Sequence, residues 1–244
     1  MTTTPQPAEP TPPAATAQAR PVDGPGAGLT VVLVLGALLI TLDSLSVWGD
    51  YAILSDLAHH RIGQELYADR MDAWNDLRFP IHAAVYVVSG LEVIVTAVWV
   101  HRARTNAGIL APHQHFRYSP GFCAGAVLVP VANLWWTPRI LADICTATGL
   151  PGTVRLIRAW WGVYVAGFVL EVGSLALPTD LGLIQDTGGH IVSVAGDPLS
   201  VAFPISVLGT VALVSYCGYY VPLMTVVGRV SARQTELLPA PRPA

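Results

Sequence analysis

The chain has no lysine and few charged residues of either sign. Its 244 residues include 13 arginines and 16 acidic residues, so that only 12% are charged. Soluble domains carry about 25% charged residues. Because 52% of the residues are hydrophobic and the mean hydropathy is +0.52, the composition excludes an ordinary soluble domain and indicates a membrane protein. We expect no nucleic acid among its partners.

Cysteine is also scarce, and catalytic motifs are absent. Cys123, Cys145 and Cys217 lie far apart and form no C-x-x-C pair, which predicts buried thiols rather than a disulfide framework. The sequence contains no G-x-S-x-G, no H-E-x-x-H and no phosphate-binding loop. His113 and His115 have no third ligand at the usual spacing for a metal site. We therefore expect a protein that is not an enzyme and that holds no cofactor.

Long apolar runs, in contrast, are plentiful. Four of them cover residues 29–48, 79–100, 157–177 and 197–227. A helix rises ~1.5 Å per residue, so about 20 residues span the ~30 Å hydrocarbon core of a bilayer. These runs predict an all-α fold, namely a polytopic transmembrane helical bundle with four full spans.

A fifth apolar segment, residues 120–136, is broken. Its apolar run of about 15 residues would cover only ~22 Å as a helix, which is short of a bilayer core. Pro130 removes a backbone hydrogen bond inside the run, and Asn133 adds a side chain that hydrocarbon cannot satisfy. We interpret this segment as broken or re-entrant, with a fifth, kinked span as the alternative.

The other stretches flank or connect the spans. Residues 1–28 are rich in Pro, Ala and Thr and lack hydrophobic periodicity, which predicts a disordered cytoplasmic tail. Residues 235–244 form a short Pro-rich tail, and the transmembrane domain is thus assigned to residues 29–234. Residues 49–78 show two apolar faces among many charges, which predicts two short amphipathic helices at the membrane surface. Residues 178–197 are predicted to be a loop.

The arginines are distributed unevenly, and this predicts the orientation. Arginine-rich segments stay in the cytoplasm, and with four spans most arginines fall on one side, together with both termini. A fifth span would move Arg229 and Arg233 outside, so four spans fit better. The two groups are Arg20, Arg102, Arg104, Arg117, Arg139, Arg155, Arg158, Arg229, Arg233 and Arg242 against Arg61, Arg70 and Arg78.

Several motifs in the middle of the chain resemble a known family. They are Trp99-x-x-Arg102-Ala103-Arg104-x-Asn106-Ala107, then Arg117-x-Ser119-x-Gly121, and then Val129-Pro130-Val131-Ala132-Asn133-Leu134-Trp135. Together they resemble the signature of the domain of unknown function 4328 family of bacterial membrane proteins, over roughly residues 29–234. Phe122 stands where the family pattern has tryptophan, and Leu128 where it has phenylalanine. The resemblance implies an integral protein of the bacterial cell membrane and implies no activity.

Three polar residues inside apolar runs are candidates for a membrane-embedded site. A charge at mid-bilayer costs about 2.5–3.5 kcal/mol on insertion scales, so Glu92 and Glu171 are expected to face the protein interior. They could relay a proton or cation between the second and third full spans, or they could be neutral carboxyls bonded to neighbouring hydroxyls. Asn133 could coordinate a ligand at a broken helix, or it could satisfy backbone groups that Pro130 frees.

A basic cytoplasmic loop is the second candidate site. Arg102, Arg104, Asn106 and Arg117 are predicted to lie in this loop, after the second span. Such a loop could recognise anionic lipid or an acidic partner, or it could serve only to set the topology.

The sequence as a whole predicts a non-enzymatic membrane module that interacts with partner proteins or anionic lipids in the bilayer, with a homo-oligomer as one arrangement. The alternative is a small transporter or channel subunit that uses the intramembrane carboxylates. One observation separates the two hypotheses. A transporter predicts that Glu92, Glu171 and Asn133 meet at one cavity, whereas a scaffold predicts scattered positions.

Overall fold

A computed structural model describes residues 19–174, 183–185, 191–194 and 198–238. The fold is an all-α bundle with one short antiparallel hairpin, β1–β2, in the stretch predicted as a loop; it pairs Leu183 with Val194. In chain order the elements are α1 (Asp23–Ala58), α2 (Gln64–Leu110), α3 (Pro120–Leu128), α4 (Pro130–Ala147), α5 (Thr153–Ser174), β1 (Leu183–Gln185), β2 (Ile191–Val194) and α6 (Leu199–Leu237).

Four of these helices, α1, α2, α5 and α6, are long and apolar enough to cross a membrane. This confirms the predicted fold class. The boundary of the predicted N-terminal tail, in contrast, has to be corrected. Because α1 begins at Asp23 and Val22 is buried in the core, residues 23–28 are helical; residues 1–18 lie outside the described residues. At the other end, α6 continues to Leu237.

The long helices pack antiparallel to their neighbours. Near its start α1 contacts the end of α6, where Thr235 donates to Asp23, and near residue 48 it contacts the first half of α6, where Trp48 donates to Thr210. The α2 helix runs antiparallel to α1 in the same way. The bundle therefore has an arginine-rich end, where α1 begins and α2 and α6 end, and an acidic end, formed around residues 43–78.

The prediction of two surface helices over residues 49–78 was wrong. The α1 helix continues to Ala58 and α2 begins at Gln64, so these residues extend two spans beyond the apolar runs. The chain reverses over residues 59–63, where His60 adopts a φ of 56°. Pro80 lies inside α2.

Long-range contacts explain why the two extensions stay together. Leu54 and Leu57 of α1 are buried against Tyr67 of α2, so these apolar faces cover one another rather than lie on lipid. Acidic residues of α1 also pair with arginines that follow it. The pairs are Asp50 with Arg78, and Asp56 with Arg61 and Arg70 at 3.1 Å each.

The contact of Gly49 with Trp74 gives a test of this packing. A methyl group at residue 49 would overlap the indole ring of Trp74, and overpacking costs about 1–3 kcal/mol. We expect Gly49→Ala to lower the free energy of unfolding by that amount, measured by thermal unfolding in detergent. Gly90→Ala, also in a long helix, is the control, because nothing lies within 4 Å of its added methyl. Equal stability of the two variants would contradict the packing of the extensions.

The broken apolar segment folds as two helices. Ser119 caps α3 by accepting a hydrogen bond from the Phe122 N–H at 3.3 Å. The break comes at Val129, which is extended (φ −103°, ψ 111°), and α4 then starts with Pro130. Proline is well suited to a first helical position because its missing donor has no partner there.

The two short helices form a hairpin that enters and leaves the bundle at the same end. Phe122, near the start of α3, packs against Trp136 of α4 with ring centroids 5.0 Å apart. At the arginine-rich end, Arg104 is within electrostatic reach of both Cys123 of α3 and Asp143 of α4. The segment thus returns to the end where it started, as the re-entrant interpretation predicts.

The hydrophobic core lies in the half of the bundle toward the arginine-rich end. Cys123 and Cys145 are buried free thiols within it, as predicted, while the side chain of Cys217 lies outside the described residues. The most buried residues of the hydrophobic core come from all six helices: Leu29, Leu33, Trp99, Val100, Cys123, Ile140, Leu141, Ile144, Cys145, Ile157, Val226 and Val227. The half toward the acidic end is packed differently and contains a cavity of about 570 Å³.

Candidate functional site

Glu92 lies on α2 and faces α1 and α6. Its carboxylate oxygens accept hydrogen bonds from the Tyr220 hydroxyl, at 3.2 and 3.4 Å. On its other side the carboxylate lies against Gly36 of α1, where a methyl group would overlap it. Glycine at this position provides the room that the carboxylate needs, and Tyr220 provides a donor that hydrocarbon could not. Glu92 therefore faces the protein interior rather than lipid.

On one side of Glu92 lies the acidic-end cavity, a space of about 570 Å³ between α1, α2, α5 and α6. Asp43 and His82 line it near the acidic end and bond to each other at 2.8 Å. Glu92 lines its deepest part, ten residues further along α2, or about 15 Å of helix. Its volume falls in the range of roughly 300–1,000 Å³ that is usual for small-molecule sites.

On the other side of Glu92 lies the inner pocket, of about 50 Å³, which has room for one or two water molecules. Asn133, from the start of α4, lines this pocket together with Glu92 and Thr96. Two further wall residues, Thr137 and Trp160, have buried polar atoms, Oγ1 and Nε1, without a hydrogen-bond partner among the described residues. Buried polar atoms are rarely left without partners, so these two atoms are available to a polar group in the pocket.

The three predicted intramembrane residues are therefore placed as follows. Glu92 and Asn133 line one pocket, and the broken helix is what brings Asn133 there. The backbone of Glu171 belongs to α5, but its side chain lies outside the described residues. No group of three or more metal-ligating residues occurs among the residues that the structure describes.

Between the inner pocket and the arginine-rich end, buried hydrogen bonds join α2 to α6. We call this network, which is formed by Trp99, Asn106, Ser231 and Gln234, the polar lock. Trp99 is fully buried, and its Nε1 donates to the Ser231 hydroxyl of α6 at 3.0 Å. Gln234, also fully buried, donates to the carbonyl of Ala103 at 2.9 Å. These contacts join α2 to α6 on the side of the pocket away from the acidic-end cavity.

Asn106 is the centre of this lock. Its side-chain amide donates to the carbonyl of Arg20 at 2.7 Å and to Gln234 at 3.2 Å, and it accepts from the Arg20 N–H at 2.9 Å. The segment before α1 is thereby tied to both α2 and α6. With 1% of its surface exposed, Asn106 is not available to an external partner.

The prediction of a basic loop after the second span was wrong for three of its four residues. The α2 helix runs to Leu110, so Arg102, Arg104 and Asn106 lie on its last turns rather than in a loop. Arg102 donates to the carbonyl of Pro21 at 3.0 Å. Of the predicted set, only Arg117 is in a loop and exposed. The helix continues because its polar side chains find partners inside the bundle.

Arg104 shows how a charge is accommodated here. It is 9% exposed, its Nε donates to the Tyr118 carbonyl at 3.2 Å, and its guanidinium stacks 3.6 Å from the centre of the Phe116 ring. Cation–π contact of this kind stabilises a partly desolvated arginine. Nearby, burial raises the pKa of Asp143, while Arg117 and Arg104 oppose that shift.

Sequence reasoning missed several residues of the site. Gly36 and Tyr220 occur inside apolar runs, where a glycine and a tyrosine are unremarkable, and only packing brings them to Glu92. The Asp43–His82 pair was also missed, because its members are 39 residues apart on different helices. No local pattern marks such pairs.

The fold and the site define a class of protein, a helical integral membrane protein with a carboxyl-lined cavity inside its bundle. The family model described as a domain of unknown function (DUF4328) matches residues 63–215, well over half of the chain. The chain belongs to this family. No curated protein and no solved structure matches it.

Proposed function

We propose that this is a multi-pass protein of the bacterial cell membrane, with its arginine-rich end in the cytoplasm. The family resemblance supports the bacterial location, and the arginine distribution supports the orientation. Residue 20 and residue 234 contact Asn106 at the same end, so both ends of the described bundle would face the cytoplasm. The acidic end would then face the outside.

The function that this geometry favours is that of a small transporter, in which a proton or small cation binds Glu92 on its way through the bundle. The observation that carries this proposal is the position of Glu92, which lines both the acidic-end cavity and the inner pocket. A mid-membrane carboxyl at the junction of two internal spaces is typical of a proton or ion pathway. The break before Asn133 is typical of helices that form transporter sites.

The proposed function is transport and not catalysis. Transport through the bundle needs a group that binds and releases a proton or cation, and the Glu92 carboxyl is such a group; no nucleophile is needed. The sequence contains no G-x-S-x-G, no H-E-x-x-H and no phosphate-binding loop, and the other polar side chains of the inner pocket carry hydroxyl, amide and indole groups.

A second function, contact with anionic lipids or an acidic partner, is favoured by the surface of the arginine-rich end. Basic clusters beside spans attract anionic headgroups, and this end presents exposed arginines from several elements. They are Arg20, Arg117, Arg139, Arg155, Arg158 and Arg229. This contact is compatible with transport and would orient the bundle in the membrane.

The orientation has a direct test. In a chain whose native cysteines are replaced, we expect His60→Cys to react in intact cells with a maleimide that cannot cross the membrane. Arg158→Cys should react only after the cells are opened, because residue 158 lies near the start of α5, at the arginine-rich end that is proposed to face the cytoplasm. Both positions are exposed. Reaction of both in intact cells, or of Arg158→Cys alone, would contradict the proposed topology.

Proton movement through Glu92 can be measured in proteoliposomes. A potassium diffusion potential drives protons inward, and a trapped pH-sensitive dye reports them. We expect flux above that of protein-free liposomes, and at least a tenfold loss in Glu92→Gln, since glutamine keeps the shape and accepts from Tyr220 but cannot carry the proton.

Glu236→Gln is the matched control for that experiment. Glu236 pairs with Arg233 on the exposed arginine-rich end, far from both cavities. Its replacement should leave the flux unchanged. Absence of flux in the unmodified protein, or equal flux in Glu92→Gln, would overturn the transport proposal.

A further inference from the structure

We propose that the acidic-end cavity binds a hydrophobic, monovalent organic cation. This inference rests on the proposed transport function, for which it names the class of molecule that the cavity takes. The charge, the aromatic walls, the size and the opening of the cavity each bear on the choice of ligand.

The charge of the cavity selects a cation. Among the described residues that line it are the carboxylates Asp43 and Glu92 and no arginine; His82, which also lines it, bonds to Asp43 and leaves Glu92 to the ligand. The nearest arginine along α2, Arg78, pairs with Asp50 of α1. A cation beside Glu92 offsets the cost of an ionised carboxyl at mid-membrane, whereas an anion there would add to that cost.

The walls beside Glu92 are aromatic. Tyr164 of α5 and Tyr219 of α6 have ring centroids 5.3 Å apart, and Tyr219 and Tyr220 are 5.1 Å apart. All three line the cavity. A cation over the face of a tyrosine ring is attracted by the ring quadrupole, and groups of aromatic rings are how proteins recognise quaternary ammonium ligands.

The cavity is too large for a proton or small cation at Glu92 to fill it, and its chemistry suits a larger ligand. A volume of about 570 Å³ suits a ligand of drug size and is far more than a proton or metal ion occupies. A metal ion also needs several oxygen or nitrogen ligands close together, and no such group occurs in the part of the chain that the structure describes. An organic cation uses both the carboxylate and the aromatic surface.

The opening of the cavity suits a hydrophobic molecule. Tyr86, 70% exposed, and the His82 side chain, 47% exposed, lie at its rim and pack edge to face with ring centroids 5.3 Å apart. Both are within the first turns of the apolar run of α2. A lipophilic cation that enters the membrane from the acidic end would meet this aromatic rim before it reaches Glu92.

The test uses two probes of nearly the same shape and opposite charge, tetraphenylphosphonium and tetraphenylborate, in equilibrium dialysis against the purified full-length protein in detergent. We expect tetraphenylphosphonium to bind saturably and tetraphenylborate not to saturate. Binding should weaken at least tenfold in Glu92→Gln and at least threefold in Tyr164→Leu. Glu236→Gln and Tyr51→Leu, which change an acid and a tyrosine outside the cavity lining, should bind like the unmodified protein.

Equal binding of tetraphenylborate, or of the neutral triphenylphosphine oxide, would overturn the proposal, as would unchanged binding in both cavity variants. If the cation does not bind but Glu92-dependent proton flux is present, transport stands and the ligand class is wrong. If the cation binds saturably but no proton flux is found, the binding site stands and the transport proposal fails.

Discussion

Replacing Trp99 by alanine is expected to lower the free energy of unfolding by about 3–5 kcal/mol, the range found for large aromatic residues removed from packed cores. Trp99 has none of its surface exposed and lies at the centre of the cluster that joins all six helices. The substitution leaves a cavity and also removes the donor to Ser231. Unfolding by sodium dodecyl sulfate from mixed micelles would measure the loss.

Three further variants separate the contributions at this position. Trp99→Phe keeps most of the ring and, like Ser231→Ala, removes the 3.0 Å hydrogen bond, so each should cost about 1 kcal/mol plus any packing loss. Trp135→Ala is the matched control, because Trp135 is 59% exposed on the outside of the bundle. A cost for Trp99→Ala no larger than that for Trp135→Ala would show that the core does not close around Trp99.

Asn106→Ala is the second large effect that we expect. It would remove three hydrogen bonds, and it would leave the Gln234 amide oxygen without a partner in the core and the Arg20 carbonyl without one at a partly buried position. A buried polar group left unsatisfied costs about 1–3 kcal/mol, so a total loss of about 2–4 kcal/mol is expected in the same measurement.

A double-mutant cycle tests whether this loss arises in the lock. Asn106→Ala and Gln234→Ala should be non-additive, with a coupling of about 1 kcal/mol, as residues in one hydrogen-bond network usually are. Asn106→Ala and Gly49→Ala, at opposite ends of the bundle, should add. Full additivity of the first pair would mean that Asn106 does not act through Gln234.

The parts of the fold that depend on local sequence could be predicted. Run length alone identifies four spans, because a bilayer sets how many apolar residues a helix needs. Pro130 predicts the break between α3 and α4, because proline cannot continue a hydrogen-bonded helix. Residues 49–78 could not be predicted in this way. The sequence of an amphipathic helix is the same whether its apolar face covers lipid or another helix. Here the Asp50–Arg78 pair and the contact of Gly49 with Trp74 hold the extension of α1 against that of α2.

The residues of the site that could be predicted are those whose polar side chains are costly to place in hydrocarbon. Glu92 and Asn133 stand out because hydrocarbon cannot solvate them, and the structure brings both to one pocket. Arg104 and Asn106 stand out equally, but polarity in a sequence indicates a solvent-exposed loop as readily as it indicates a buried partner. Their burial depends on Tyr118, Phe116 and residues at the far ends of the chain, which no local window contains.

The lock has a consequence for biogenesis. Trp99 and Asn106 leave the ribosome well before their partners Ser231 and Gln234, which follow 132 and 128 residues later. The first helices can therefore insert while the seam between α2 and α6 is still open, and a nascent chain released before residue 231 would be threaded through the bilayer yet unsealed. In such a truncated chain Trp99 and Asn106 would lack their α6 partners, and this open seam would distinguish it from the complete bundle for quality-control proteases.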